Sequence, residues 1–268
     1  MKKKFITILK NTITLLLWLP IFSFSQTKTL TVNYSDKIQE QTYSTIIDET
    51  LSIYYNHSVD VVSGEINLNI GNSKKYISQS NAQTKTCLIT VSYPNEKPIL
   101  LSSFEHDLSF SIWHEIGHCV LDKSQFTNDI NWKIDLSKDK ISILNKKIEN
   151  LTMLSIRSLQ DIHCLNKDFK IAPPISVYHE IFSDIFALSL LVKSNNDKNL
   201  EEILFLSKKR IEDFNSNPIK NKYASGFAIP YFLDNIENIK IEDDFDLIYK
   251  ISQNGFLDYI NKIQIINE

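Results

Sequence analysis

Hydrophobic and polar positions alternate along this chain with two distinct periods, and the switches between them outline the elements. From Asp36 to Tyr55 apolar and aromatic residues recur at Ile38, Tyr43, Ile46, Ile47, Thr50, Leu51 and Tyr54. That three- and four-residue spacing predicts an amphipathic helix over 36–55, with Asp36 as its N-cap and Asn56-His57-Ser58 as its end. From Val59 to Ile70 the period falls to two, with Ile66, Leu68 and Ile70 against Glu65, Asn67 and Asn69, which predicts a half-buried strand. Gly71-Asn72-Ser73 reads as a turn and the polar stretch 73–85 as a loop. Cys87 to Tyr93 predicts a second strand, stopped by Pro94 and Pro98. A helix follows, with Ser102 at its N-cap and Glu105 three residues on as a capping box. Phe104, Leu108, Ile112, Ile116 and Val120 form its apolar stripe, widened by Trp113 and Leu121.

The second half of the chain is helical in pattern throughout. Residues 123–170 are polar, with Ile141, Leu144, Ile148 and Leu151, then Ile156, Leu159 and Ile162, at helical intervals. They read as one or two solvated helices packed on the rest, with His163 structural or exposed. Pro173-Pro174 punctuates the chain and starts a new helix. From Val177 to Leu188 that helix is apolar on most sides, which makes it central. Asn199 to Phe214 is amphipathic through Leu200, Ile203, Leu204, Leu206 and Ile211; Tyr223 to Tyr231 reads as a loop-like break; Asp244 to Ile263 is a last amphipathic helix. There is no internal repeat and no low-complexity tail.

The N-terminus changes the picture of where this chain works. Met1-Lys2-Lys3-Lys4 is followed by an apolar segment densest from Ile13 to Phe24, and Ser23-Phe24-Ser25 places small residues before Gln26. This is the layout of a signal peptide over 1–25, with secretion or delivery to a periplasm as the consequence. The competing reading is an uncleaved N-terminal membrane anchor. No cysteine stands at the cleavage position, which argues against a lipid anchor. Loss of 1–25 takes four lysines and no acids, so the formal charge moves from −3 to −7. An acidic exported domain gives no basis for nucleic-acid binding, and no stable membrane partner is expected once the signal is cleaved. Of the three cysteines, Cys87, Cys119 and Cys164, any two can pair. Cys119 lies about 100° round its helix from His118 and reads as a small core residue.

The chemistry-bearing stretch is Trp113-His114-Glu115-Ile116-Gly117-His118-Cys119, an H-E-x-x-H motif on the helix that follows the second strand. Histidines four apart project from one face, so both imidazoles can reach one zinc ion. Glu115 stands where zinc peptidases carry the base that activates water. A helix with two surface histidines is the alternative. Gly117 costs about 1 kcal/mol relative to Ala inside a helix, which makes sense if another backbone or a substrate passes close. Glu180 and Asp184, four apart on the apolar helix, are the second chemical feature. Acids on a buried helix need a charge partner or a metal. A catalytic zinc site takes three protein ligands and keeps a position for water. It also needs a carboxylate that fixes the tautomer of a ligating histidine. Glu180 and Asp184 can supply these two roles, against the alternative of a pair of surface acids.

H-E-x-x-H with a downstream E-x-x-S-D, Glu180 to Asp184, resembles the gluzincins, the thermolysin-like group of zinc metallopeptidases. The resemblance implies His114, His118 and Glu180 as zinc ligands, Glu115 as general base and Asp184 as hydrogen-bond partner of His114. It covers two short helical segments. His118 and Glu180 are 62 residues apart, longer than in thermolysin itself, so an insertion is accommodated between them. His179 stands where those enzymes carry Asn and is a rival third ligand. No histidine follows His179, so Tyr223 or Tyr231 is the candidate to stabilise the transition-state oxyanion. A metzincin would need Gly at 121 and His at 124, where this chain has Leu121 and Ser124.

The fold expected is α+β and zincin-like: a small antiparallel or mixed sheet packed on the metal-binding helix, then a mainly helical C-terminal part. The expected division is a signal peptide at 1–25, a sheet and active-site-helix subdomain at 26–122, a helical insertion at 123–172 and a helical subdomain at 173–268. The last strand before the metal helix is the expected edge on which an extended substrate lies. The activity implied is an exported zinc-dependent peptidase, an endopeptidase, acting on a peptide or protein. Two rivals are a non-catalytic exported binding protein with a structural or vestigial metal site, and a zinc hydrolase of something other than peptide.

Overall fold

The computed structural model describes residues 30–58, 61–81, 86–123, 174–194, 199–216, 223–241 and 245–267. Residues 1–29 and 124–173 lie outside it, and with them the expected signal peptide, the expected helical insertion, His163 and Cys164. The described chain is α+β: a four-stranded mixed sheet with helices, followed by a mainly helical C-terminal part. Among the described residues no helix is long and apolar enough to cross a membrane.

The chain enters through strand β1 (Leu30–Tyr34) and helix α1 (Lys37–His57). Asp36 caps α1 by accepting from the Gln39 backbone N–H, a bond that satisfies one of the four donors a helix start leaves open. Tyr43, Ile47, Thr50, Leu51 and Tyr54 form the buried stripe as the spacing predicts. Ile38 does not join them and is 75% exposed. Gln39 is buried in its place, because its amide both donates to the Ile70 carbonyl and accepts from the Ile70 N–H.

Strand β2 (Gly64–Ile70) buries Ile66, Leu68 and Ile70. It turns at Gly71, whose φ of 82° suits a residue without Cβ. The polar stretch expected as a loop contains a further strand, β3 (Ile77–Asn81). Strand β4 (Cys87–Tyr93) follows. The order across the sheet is β1-β2-β4-β3, with β1, β2 and β4 parallel and β3 antiparallel to β4. So β4 is interior, and the edge expected there belongs to β3.

Helix α2 (Phe104–Lys123) carries the H-E-x-x-H. Its cap is Ser103, not Ser102: Ser103 Oγ accepts from the His106 N–H. Ser102 instead donates through both its N–H and its hydroxyl to the buried Glu202. Helix α3 (Pro174–Lys193) starts at the second proline and is buried along most of its length. It packs against α2, and α1 contacts both. At Gly117 the two helices lie close: a Cβ there would lie 3.0 Å from Ser183 Cα and 3.2 Å from the Phe186 ring.

Helix α4 (Asn199–Ser216) buries Ile203, Leu206 and Phe214. Leu200, Leu204 and Ile211, expected in the same stripe, are exposed. The buried positions they would have held belong to Glu202 and Arg210, which have charge partners in the core. The break expected at 223–231 is more ordered than a loop: a single 3-10 turn at Ser225–Phe227 leads into α5 (Ile229–Asp234), with Pro230 in its first turn. Helices α6 (Ile236–Ile241) and α7 (Phe245–Asn267) complete the chain, and α7 packs on α3.

Cys87 of β4 and Cys119 of α2 form a disulfide. Cys119 is therefore buried, as expected of a core residue, but cross-linked to the sheet. Its position next to His118 ties the metal-motif helix covalently to an interior strand.

Candidate metal centre

Helices α2 and α3 bring three side chains to one point. His118 Nε2 lies 3.1 Å from His114 Nε2. Glu180 Oε2 lies 3.2 Å from His114 Nε2 and 3.8 Å from His118 Nε2. Four ligands held tetrahedrally at about 2.0–2.1 Å from one zinc stand about 3.3 Å from each other. Two edges of this triangle match that spacing and the third, at 3.8 Å, is longer, so the residues fit a metal ion of zinc's size and ligand preference. Among the described residues, His114, His118 and Glu180 are the group able to hold one. His179 is not part of it; its ring lies against that of His118, with centroids 6.2 Å apart and planes at 27°.

The local reason for the convergence is helical. One turn separates His114 from His118, and His114 and Glu180 are buried where the two helices pack. With no Cβ at Gly117, one turn face of α2 can lie directly on the backbone of α3 at Ser183, between Glu180 and Asp184.

Asp184 fixes His114 from behind. Its Oδ1 lies 2.7 Å from His114 Nδ1. In the neutral ring, a carboxylate on Nδ1 places the proton there and leaves the Nε2 lone pair facing the triangle, which is the ligating tautomer. Asp184 is fully buried, and it carries more than one donor. Arg210 of α4 meets it with two bonds, Nε to Oδ2 at 2.8 Å and Nη2 to Oδ1 at 3.0 Å. Ser225 Oγ donates to Oδ2 as well. Burial alone would raise the pKa of Asp184, but Arg210 and His114 outweigh it and hold the carboxyl well below its usual range. Burial pulls His114 down, and Asp184 and Glu180 together overcome it, raising the metal-free ring to about 10. Arg210 is itself covered by the Tyr223 ring, with its guanidinium carbon 4.5 Å from the ring centroid.

Glu115 points toward the sheet edge. Ser78 Oγ of β3 donates to its Oε1 at 2.8 Å, and Ser80 stands two residues further along the same strand. Burial raises the Glu115 pKa; His114 and the two serines oppose that rise, and Glu180 adds to it. A carboxyl with elevated proton affinity beside a metal triangle suits a group that takes up and releases a proton.

Of the tyrosines considered for the oxyanion, Tyr223 is joined to the centre through Arg210 and Asp184. The Tyr231 hydroxyl donates to Asp258 of α7 at 2.7 Å on the exposed side of the C-terminal helices.

Sequence reasoning missed Arg210, Ser225, Ser78 and Ser80. Arg210 left a trace: it sits at helical spacing with Ile203, Leu206 and Phe214, and a cation on a buried stripe demands a buried acid. The serines left none, since I-S-Q-S-N has no apolar alternation. No family model matches the chain, and neither a curated protein nor a solved structure matches it. Its chemistry rests on the geometry above.

Proposed function

We propose that this chain is an exported, zinc-dependent peptidase of the gluzincin type. The observation that carries the reading is the triangle of His114, His118 and Glu180 with Asp184 seated on His114 Nδ1. Two further features support it. Glu115 stands next to the triangle with raised proton affinity. The Cys87–Cys119 disulfide belongs to an oxidising compartment, in keeping with a signal peptide at 1–25.

His114, His118 and Glu180 would hold the zinc ion, which when bound would supply Lewis acidity for a carbonyl and for the activation of water. Glu115 takes the proton as water attacks the peptide carbonyl and passes it to the leaving amine. Asp184, held ionised by Arg210 and Ser225, keeps His114 in its ligating tautomer. Strand β3 lies at the edge of the described sheet, where an extended peptide can add as a further strand, and Ser78 brings that strand next to Glu115. The non-catalytic reading is disfavoured by Glu115 beside the triangle, since a purely structural site has no use for a base there.

The test begins with zinc content in the purified protein and hydrolysis of unstructured protein substrates. About one zinc per chain, lost in Glu180→Ala and retained in His179→Ala, is the expected result. Glu115→Gln should bind zinc and hydrolyse nothing; retained turnover would sink the assignment.

A further inference from the structure

Among the described residues, Leu200, Leu204, Phe205 and Ile211 are large apolar side chains left 45% to 52% exposed, and all four stand on helix α4. Three of them line up. Leu200, Leu204, the small Ser207 and Ile211 follow one another at intervals of four, three and four residues. That is the spacing of a seam along which two helices pair. Phe205 stands apart from it, about 120° round the helix.

The helix cannot roll to bury this stripe. Its inward face, about 110° away, holds Ile203, Leu206 and Phe214 together with Glu202 and Arg210. Glu202 is bonded to Ser102 and His106, and Arg210 to Asp184. Turning α4 would separate these charges from their partners in the interior, where an unpaired charge is expensive. The two buried pairs therefore hold the seam outward.

The flank of the seam indicates what covers it. On the side away from the protein's own core stand Glu201 and Lys208, seven residues apart, in equivalent positions and of opposite sign. Lys208 has Glu212 at 3.9 Å, but both are exposed and such a pair holds weakly. Turned end for end, a second α4 sets its Ile211 level with Leu200 and its Ser207 level with Leu204. Glu201 of each copy then stands within about 3 Å of level with Lys208 of the other, a reach that both side chains span. A parallel pair lacks this match, because it sets each flank against the opposite flank of the partner. That opposite flank is formed by Ile203 and Arg210, which are buried in their own chain.

We propose that two copies of this chain associate through α4, paired antiparallel along Leu200, Leu204, Ser207 and Ile211, with Glu201 and Lys208 as the reciprocal charge pairs. The contact is the same patch on both copies, so it closes into a dimer and does not propagate. A seam of two heptads lies at the small end of specific interfaces, under about 1,200 Å², so the association is reversible and depends on concentration.

Sedimentation equilibrium of the purified protein between about 1 and 300 µM, where small interfaces associate, tests the proposal. Wild type should pass from monomer to dimer across this range. Leu204→Glu should stay monomeric with an unchanged melting curve, since the side chain it replaces is exposed, and Ile38→Glu on α1 should dimerise like wild type. Glu201→Lys and Lys208→Glu should each raise the dissociation constant about 3- to 30-fold at low salt, and the double swap should restore it. Glu201→Lys moves an acidic chain toward neutrality, so general repulsion alone would predict the opposite change. A wild type that is monomeric throughout overturns the proposal and leaves the stripe to another occupant, such as residues 124–173 of the same chain. A dimer that persists in Leu204→Glu, or that the double swap does not restore, overturns it as well.

Discussion

His114 Nδ1 and Asp184 Oδ1 lie 2.7 Å apart although 70 residues separate them in the chain. The pair joins two helices and sets which nitrogen of His114 faces the ligand triangle. Asp184→Asn keeps the shape and removes the charge, so zinc affinity should fall about 10- to 100-fold. Competition with a chromophoric chelator measures this directly. Arg210 would then be buried beside a neutral amide. Loss of one partner of such a pair costs about 3–5 kcal/mol, so Arg210→Ala should lower stability by that order in denaturant titration.

Gly117→Ala tests the helix contact. The added methyl meets the Ser183 backbone, which cannot rotate aside as a side chain can. Overpacking of about 1–3 kcal/mol opposes a gain of about 1 kcal/mol in helix propensity. The expected net is a loss of up to about 2 kcal/mol with weakened zinc binding, because α2 and α3 each carry ligands. Unchanged affinity in the chelator assay would show that the approach at Gly117 does not set the triangle.

The disulfide closes a loop with a sequence separation of 32 residues. Chain-entropy arguments give about 3–4 kcal/mol for a loop of that length. Replacing Cys87 and Cys119 together by Ala should lower the denaturant midpoint accordingly, and adding a reductant to the native protein should have the same direction of effect.

Glu202 gives a pH dependence separate from the metal centre. Burial works to raise its pKa, but bonds from His106 and Ser102 outweigh it and hold the carboxyl below its ordinary value of 4.5. A carboxyl depressed on folding contributes stability that is fully present above its ordinary pKa. That stability is lost as pH falls through the lower folded value. Glu202→Gln should therefore be less stable than wild type by about 1–3 kcal/mol at neutral pH. The gap should close as pH drops below the ordinary value. A gap independent of pH between 7 and 3 would contradict the role of the charge.

The sequence by itself determined the features that depend on near neighbours along the chain. Asp36 caps α1, Ile66, Leu68 and Ile70 alternate on β2, Pro174 opens α3, and His114 and His118 share a helical face. These follow from backbone periods of 3.6 and 2, which any few residues reveal. Tertiary structure alone decided what needs a distant partner. Gln39 displaced Ile38 inward because the Ile70 backbone needed a polar match. The polar I-S-Q-S-N became an edge strand because β4 offered it a ladder, and so brought Ser78 to Glu115. Cys87 was chosen for Cys119 by the packing of α2 on β4, and Arg210 was turned inward by Asp184. The energies involved in those choices are paired: a buried charge or amide is tolerable only with its complement. The complement's position is written in the folded chain, not in the spacing of residues along it.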